Sequence, residues 1–436
     1  MSESLALGAI GVPAGVSEDA TYRKVAWRIM PLLLACYLMA YLDRVNVGYA
    51  KLQMVDDLQF SDAVYGLGAG IFFIAYFLVE IPSNLILHRV GARVWIARIM
   101  ITWGILSACM AFVTTPMSFY VLRFLLGLAE AGFYPGVILY LSYWFPSHRR
   151  GKMFALFASA APISGLIGAP LSGYLMSALH GSQGYSGWQW LFVIEGLPSV
   201  ALGVLVLFCL SNRISEANWL SAEQKQLLQA RIEAENQGHE HRSLRDVFFH
   251  PRVWLLTAIY FCLIAGYYTV AFWLPTLVAQ AGVTDMMDIG LLTAIPYGAA
   301  VITMLLVARN ADRLRERRWH LALTCIVGGV GMIISAIWSD SLVMSMIGLT
   351  IGAMGALSTL PLFWPLPTAF LSGTAAAAGI ALINSFGNLA GFVSPYLMGL
   401  LKELTQSTSM GMFIMASALF VGAALVFLIP AKLVNR

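Results

Sequence analysis

The stretch AWRIMPLLLACYLMAYLDRVNVGYA (residues 26–50) decides how the chain must fold. Between Arg28 and Asp43 it contains no charged residue, and at about 1.5 Å per helical residue it can cross a hydrocarbon core about 30 Å thick. Its far end carries Asp43 and Arg44 side by side, where each charge costs on the order of 2.5 to 3.5 kcal/mol at mid-membrane. The stretch therefore predicts a membrane helix whose two charges serve a specific purpose.

The composition extends this interpretation to the whole chain. Of its 436 residues, 59% are apolar and 11% are charged, whereas soluble domains carry about 25% charged residues. Apolar runs long enough to span a bilayer recur from end to end, and we count twelve of them. The predicted spans are 26–50, 62–86, 95–115, 117–144, 153–179, 188–210, 252–281, 287–308, 319–338, 341–365, 373–402 and 409–430.

One long polar segment, 211–251, separates the first six spans from the last six. It is charged and helix-forming, and Ser221 and Gln224 are spaced as in a capping box that begins a helix. The predicted organisation is a cytoplasmic tail (1–25), a six-helix bundle (26–210), a cytoplasmic linker with a helix (211–251), a second six-helix bundle (252–430) and a short cytoplasmic tail (431–436).

The positions of lysine and arginine predict the orientation, because cytoplasmic loops hold an excess of both. All but four of the 26 fall on the side of the termini. Lys51 and Lys402 lie on the opposite side, and Arg44 and Arg123 lie within spans. We therefore expect both termini in the cytoplasm, with the first span targeting the chain to a bacterial inner membrane as a monomer. The lipid bilayer is the expected environment, and a basic face for nucleic acid is absent from the sequence.

The sequence does not favour an enzyme or a metal protein. The five cysteines lie singly within predicted spans, without CxxC spacing or histidine pairs, and neither HExxH nor GxSxG occurs. We expect no metal and no cofactor other than a proton as coupling ion. A sensor is a weaker alternative, because a linker of about 40 residues is too short for a signalling domain.

Two landmarks recur at nearly one spacing. His88 and Arg89 after the second span correspond to Asp312 and Arg313 after the eighth, 224 residues later. Pro170 in the fifth span and Pro395 in the eleventh, each among glycines, are 225 residues apart. The sequence thus predicts an all-α membrane protein of two pseudo-symmetric six-helix halves. In such transporters the substrate lies between the halves near mid-membrane.

Ionisable residues deep within the predicted spans all belong to the first half, and such residues usually face a cavity and have a partner. Arg123 and Glu130 lie two turns apart on one helix face, whereas Asp43 and Arg44 project about 100° apart. We predict that Asp43 pairs with Arg123, and that Arg44 faces the central cavity near Glu130. The alternative is a network of all four that only locks the helices together. The full set is Asp43, Arg44, Glu80, Arg123, Glu130 and Glu195.

The other two acids of that set are expected to be structural. We predict that Glu80, near the end of the second span, contacts loop arginines and that Glu195 makes a structural hydrogen bond. Neutral side chains complete the predicted substrate cavity, although packing is the commoner role of any one aromatic residue. These candidates are Tyr41, which shares a helix face with Arg44, Tyr76, Trp364, Asn384 and Asn388.

Several motifs resemble one known family. The loop RVGAR (89–93) is a weakened form of the signature loop of the major facilitator superfamily, with His88 where an Asp is usual. Within that superfamily the chain is similar, over nearly its whole length, to the anion:cation symporter branch, which includes bacterial sugar-acid, tartrate and aromatic-acid permeases. The motifs are YLDRVNVGYA (41–50), FLVEIPSN (77–84), RFLLGLAEAGFYPG (123–136) and WQWLFVIEGLPS (188–199).

The resemblance implies that Asp43 and Glu130 carry protons, that Arg44 binds the substrate carboxylate, and that Asn384 contacts substrate. Ala161 stands where some sugar-acid members offer an amide, which favours a less hydroxylated anion. We therefore expect a proton-coupled symporter that imports a small organic anion, such as an aromatic acid, tartrate or a sugar acid, by alternating access. An anion exchanger or a proton-driven exporter of the same fold is the alternative.

Overall fold

A computed structural model describes residues 17–236, 248, 250–368 and 373–434. Within these residues the chain is a bundle of membrane-crossing helices. Eleven helical segments are long and apolar enough to cross a membrane, and the split helix Gly373–Asn388 and Ala390–Thr405 supplies the twelfth span. Large apolar side chains such as Phe208, Leu306 and Leu85 point outward and are more than half exposed, which suits a lipid-facing surface.

The observed helix bounds agree closely with the predicted spans. The first six segments are Glu18–Leu58, Asp62–Val90, Ala92–Phe112, Pro116–Ser142, Arg149–Ala178 and Gly187–Cys209. The last six are Pro251–Gln280, Met286–Leu314, Arg318–Ile337, Leu342–Pro367, the split helix Gly373–Asn388 and Ala390–Thr405, and Ser409–Val426.

The first span differs most from its predicted bounds, because polar residues extend it at both ends. Ser17 caps its start by accepting the Ala20 N–H. Glu18 then forms an ion pair with Arg231 of the linker helix Ala222–Asn236, at 2.8 Å. The extension therefore fastens the start of the first span to the linker.

The linker helix begins as predicted. Gln224 donates its backbone N–H to Ser221 Oγ (3.3 Å), and Ser221 donates its backbone N–H to Gln224 Oε1 (3.2 Å), so the capping box is confirmed. The rest of the predicted linker at 237–247 and 249, and the tails at 1–16 and 435–436, lie outside the described residues.

Glycines allow the two halves to meet at close range. A Cβ on Gly66 would lie 2.5 Å from the Pro395 carbonyl oxygen, so the second and eleventh spans touch through their backbones. The fifth and eighth spans do the same, because a Cβ on Gly173 would lie 2.5 Å from the Met286 carbonyl oxygen. Small residues permit such close helix approach in membranes.

We call the end of the bundle where the first span finishes the distal end, and here charged groups join the halves. Asp62 forms ion pairs with Lys51 Nζ at 2.7 Å and with Lys402 Nζ, in the second half, at 2.9 Å. Glu403 of the second half accepts the Ala63 N–H at 3.1 Å. The distal end is therefore closed by polar contacts between the halves.

Candidate functional site

A buried ion pair lies where the two halves meet. Arg44 of the first span donates through Nη2 to Glu130 Oε1 of the fourth span. Its Nη1 donates to the hydroxyl of Tyr268, in the seventh span, at 3.1 Å. Arg44 is 8% exposed and Glu130 is fully buried. The predicted proximity of Arg44 and Glu130 is confirmed, and Arg44 also bridges to the second half.

The local sequence explains how Glu130 reaches this position. A Cβ on Gly127 would lie 2.2 Å from the Phe72 carbonyl oxygen, so the fourth span can press against the second only with glycine there. The helix ends at Glu130 and restarts after Gly132, whose φ of +89° suits glycine. This close contact and break place the Glu130 carboxylate at a helix end, next to Arg44.

Two aromatic rings of the second span flank the guanidinium. The Arg44 Cζ atom lies 5.6 Å from the Phe72 ring centroid and 5.7 Å from that of Tyr76, within cation–π range. Tyr76, a predicted substrate residue, is therefore part of this site. Tyr41, three residues before Arg44, is buried and packs edge-on against Tyr267 of the second half, at 6.2 Å between centroids.

The ion pair leaves some hydrogen-bonding capacity unused. Arg44 Nε and Glu130 Oε2 are buried and have no hydrogen-bond partner among the described residues. A guanidinium can hold a carboxylate through two parallel N–H donors, but here only one such bond forms. The Nε edge of Arg44 is thus available to a second carboxylate.

Asp43 does not pair with Arg123, so that prediction is wrong. Its two carboxylate oxygens accept hydrogen bonds from Ser107 Oγ (2.9 Å) and Ser199 Oγ (2.6 Å), in the third and sixth spans. Because Asp43 projects about 100° away from Arg44 around the helix, it points into the first half. Arg44 points toward the boundary between the two halves, which we call the seam. It is a buried carboxylate satisfied by two hydroxyls.

Arg123 also hydrogen-bonds to neutral groups, and its buried Nη1 has no partner among the described residues. It donates through Nε to the Gly68 carbonyl and through Nη2 to the Ala69 carbonyl, both at 3.2 Å. Its Cζ lies 5.1 Å from the ring of Phe72, which Arg44 also approaches. Arg123 therefore fixes the backbone of the second span beside the central ion pair.

The two remaining acids differ from each other. Glu195 accepts a hydrogen bond from Ser172 Oγ at 2.8 Å, which confirms the predicted structural bond. Glu80 was expected to contact loop arginines, and this is wrong. It is buried, and its oxygens accept from Asn384 Nδ2 (2.6 Å) and Ser385 Oγ (2.7 Å) in the eleventh span. Its position more than two turns inside the helix end keeps it from the loops.

The predicted second-half residues divide into two groups. Asn384 accepts a hydrogen bond from the Tyr260 hydroxyl at 3.4 Å, and the Tyr260 ring packs against Trp364 at 5.0 Å between centroids. Asn384 and Trp364 thus belong to one cluster with Glu80. Asn388 lies one turn beyond Asn384 and is half-buried, and its side chain makes no hydrogen bond within the part of the chain that the structure describes.

Sequence reasoning did not select Tyr268 or Ser385 as site residues. Tyr268 lies in GYYTVAFW (266–273), a run in which apolar periodicity does not distinguish a site hydroxyl from packing aromatics. Ser385 was adjacent to the predicted Asn384. The signal that could have identified Ser385 was Glu80 in the second span, because a buried carboxylate needs hydrogen-bond donors from a neighbouring helix.

Comparison with known proteins places the chain in a family. The family model described as Major Facilitator Superfamily matches residues 33–395. The chain belongs to the Major Facilitator Superfamily. It is 50% identical over 420 residues to a Pseudomonas putida protein named as a metabolite transport protein, NicT, covering 96% of each chain. It is 47% identical to an Agrobacterium vitis protein named as a tartrate transporter, covering 96% of this chain and 93% of that one.

A solved structure shares the architecture at low sequence identity. The inward-facing, occupied crystal structure of a bacterial homologue of the human lysosomal transporter Spinster matches with a TM-score of 0.76 and 15% identity, over 93% of this chain and 96% of that one. This likeness supports the fold alone. The family match and the transporters among its relatives show that the protein is a multi-pass membrane transporter with the all-α, twelve-span superfamily fold, and not an enzyme.

Proposed function

We propose that this protein imports a small organic carboxylate together with a proton, by alternating access of a site between the two halves. The observation that carries the proposal is the buried Arg44–Glu130 ion pair at the seam, with Arg44 also bonded to Tyr268 across it. The names of the metabolite and tartrate transporters among its relatives support a small organic anion as the substrate.

The coupling follows from competition between two carboxylates for one guanidinium. While Glu130 is ionised, it neutralises Arg44, and a substrate carboxylate that enters adds an uncompensated negative charge to a buried site. Burying an unpaired charge is costly. When a proton neutralises Glu130, Arg44 is left without its counter-ion and holds the substrate carboxylate instead. Substrate anion and proton are then bound together.

The atoms of the site suit this exchange. The unpaired Nε and the adjacent Nη2 of Arg44 form the edge that binds a carboxylate by two parallel bonds. Tyr268 holds Nη1 and so keeps the guanidinium directed at the seam. Tyr76 and Tyr41 line the same region, and their rings give the substrate an aromatic wall.

The other predicted site residues take supporting parts in the proposal. Asp43 is a second buried carboxylate that gains and loses a proton, with Ser107 and Ser199 as its partners. Arg123 adds a positive charge near Glu130 while it fixes the second span. In the second half, Asn384, Trp364 and Asn388 form the side of the site that faces the rest of the substrate.

The cellular setting belongs to the same proposal. The bacterial relatives support a bacterial inner membrane, and the distribution of lysine and arginine favours cytoplasmic termini. The coupling ion is a proton without further cofactor, and the protein works as a monomer, because the whole site lies within one chain.

Uptake driven by a pH gradient tests the proposal. Liposomes containing the purified protein, alkaline inside, are offered radiolabelled tartrate, a sugar acid, phthalate and 4-hydroxyphenylacetate. We expect accumulation of at least one compound above its outside concentration, and its loss when a protonophore collapses the gradient. Entry that stops at equal concentrations, or that requires substrate inside, would instead make the protein a uniporter or an exchanger.

A further inference from the structure

Glu80 forms a second polar cluster beside the central ion pair. Its carboxylate belongs to the first half, and its two hydrogen-bond donors, Asn384 and Ser385, belong to the second. Within the described residues no lysine, arginine or histidine nitrogen lies within 4.0 Å of it. Glu80 is thus a buried carboxylate held only by neutral donors, and the proposed mechanism makes no use of it.

The cluster lies close enough to Arg44 for one small molecule to contact both. Glu80 follows Tyr76 by four residues, so the two share a helix face with Cβ atoms about 5 to 6 Å apart. The Tyr76 ring in turn lies 5.7 Å from the Arg44 guanidinium. A substrate whose carboxylate is held by Arg44 therefore extends toward Glu80 along this face.

The hydrogen-bonding capacity of the cluster defines what it can accept. An ionised carboxylate offers about four acceptor positions and no donor, and Asn384 and Ser385 occupy two of them. Asn384 Nδ2 has a second N–H beyond the one given to Glu80. A hydroxyl fits both, because it donates to Glu80 and accepts from Asn384. A second carboxylate can donate nothing to Glu80, and its charge is repelled.

We propose that Glu80 is a specificity-determining residue that, with Asn384, binds a hydroxyl of the transported carboxylate and rejects a second negative charge at that position. The substrate class is then a hydroxylated monocarboxylate. This inference rests on the proposed function, since it takes Arg44 as the anchor of the first carboxylate. Glu80 selects the group at the other end of the molecule.

Two matched trios of acids test this selection. The first is butyrate, 3-hydroxybutyrate and methylsuccinate; the second is phenylacetate, 4-hydroxyphenylacetate and 4-carboxyphenylacetate. Within each trio the same carbon carries a hydrogen, a hydroxyl or a carboxylate. Initial uptake rates are measured in liposomes with wild type, Glu80→Gln, Glu80→Asp and, as a matched buried control, Glu195→Gln.

For the wild type we expect the hydroxylated acid of at least one trio to be taken up about tenfold faster than the other two acids of that trio. Glu80→Gln should raise the uptake rate of the dicarboxylate, relative to that of the hydroxy acid, about tenfold, because the charge that repels the second carboxylate is gone. Glu80→Asp, which keeps the charge, should still reject the dicarboxylate, and Glu195→Gln should keep the wild-type ratios. A residue that only joined the halves would change all rates together and leave the ratios unchanged.

The failures of the two proposals are distinguishable. Uptake by wild type with the same ratios in Glu80→Gln would overturn the role of Glu80 and leave carboxylate transport intact. A wild type that favours the dicarboxylate would do the same. No uptake of any of the six acids, by protein that a melting curve shows to be folded, would contradict the proposed function itself and the inference with it.

Discussion

The two halves of the bundle meet with different kinds of side chain. At the centre the first half supplies the ion pair of Arg44 and Glu130, whereas the second half supplies the neutral hydroxyl of Tyr268. The same division holds at the second cluster, where the charged Glu80 faces the neutral Asn384. At both clusters, therefore, the first half contributes the ionisable groups and the second half contributes neutral ones.

This difference indicates where coupling resides. A charged group changes its interactions when a proton arrives, whereas an amide or a hydroxyl keeps the same donors and acceptors at physiological pH. Protonation therefore changes what the first half binds, and the second half completes the site in either state. At the central site, removing a first-half charge should therefore cost more substrate affinity than removing a second-half hydroxyl.

Arg44→Lys should give the largest loss of affinity. Lysine keeps the charge but lacks the planar fork that binds a carboxylate by two bonds. Perturbing one partner of a buried, hydrogen-bonded charge pair costs about 2 kcal/mol or more. The substrate concentration that gives half-maximal uptake should therefore rise about 30-fold. The concentration dependence of uptake measures this. Arg28→Lys, an exposed arginine of the same helix, is the control and should behave as wild type; unaltered half-saturation in Arg44→Lys would remove Arg44 from the site.

Tyr268→Phe should have an intermediate effect. It removes the neutral hydroxyl that holds Arg44 Nη1, and one such hydrogen bond contributes about 1 kcal/mol, or about a fivefold change in half-saturation. Proton-driven accumulation should persist, because Glu130 is untouched. Tyr174→Phe, at an exposed position, controls for the loss of a hydroxyl. Loss of proton coupling in Tyr268→Phe would show that the second half takes part in it, against the comparison drawn above.

Asp62→Asn should change affinity least, because the distal ion cluster lies away from Arg44. The contact with the partly exposed Lys402 is worth up to about 1 kcal/mol, and loss of the contact with the buried Lys51 costs more, because it leaves that charge without its carboxylate. Their loss should loosen the contact between the halves and speed amide hydrogen exchange at 61–66 and 399–405 by about fivefold or more. Mass spectrometry of the exchanged peptides measures this, with the exposed Asp56→Asn as the control. Unchanged exchange would mean that backbone packing alone closes the distal end.

Much of the fold was predictable, because a membrane helix is recognised by the length of its apolar run. Short polar turns separate most of these runs in the chain. The break at Gly132 was not predicted, although it places Glu130 at a helix end. Its cause is tertiary, since the fourth span must pass both the Phe72 backbone and the Ser83 side chain. Hydropathy measures neither contact.

The site was predictable only where spacing along one helix limits the possibilities. Arg44 and Glu130 were expected near each other, and the structure confirms it. Asp43 was assigned the wrong partner, because helix geometry gives the angle between neighbours but not which helix stands opposite. Ser107 and Ser199 are two serines among many in apolar spans. The contact of Glu80 with the eleventh span could not be predicted, because it depends on how the two halves pack together. Residue spacing within one helix contains no information about that packing.

The most direct test of the central claim is the proton flux that accompanies substrate entry. Liposomes with a pH dye inside receive a transported carboxylate, with wild type, Glu130→Gln or the matched buried control Glu195→Gln. We predict internal acidification by wild type and Glu195→Gln, and none by Glu130→Gln, which should still exchange labelled substrate across the membrane. Acidification by Glu130→Gln at the wild-type rate would contradict the assignment of proton coupling to the Arg44–Glu130 pair.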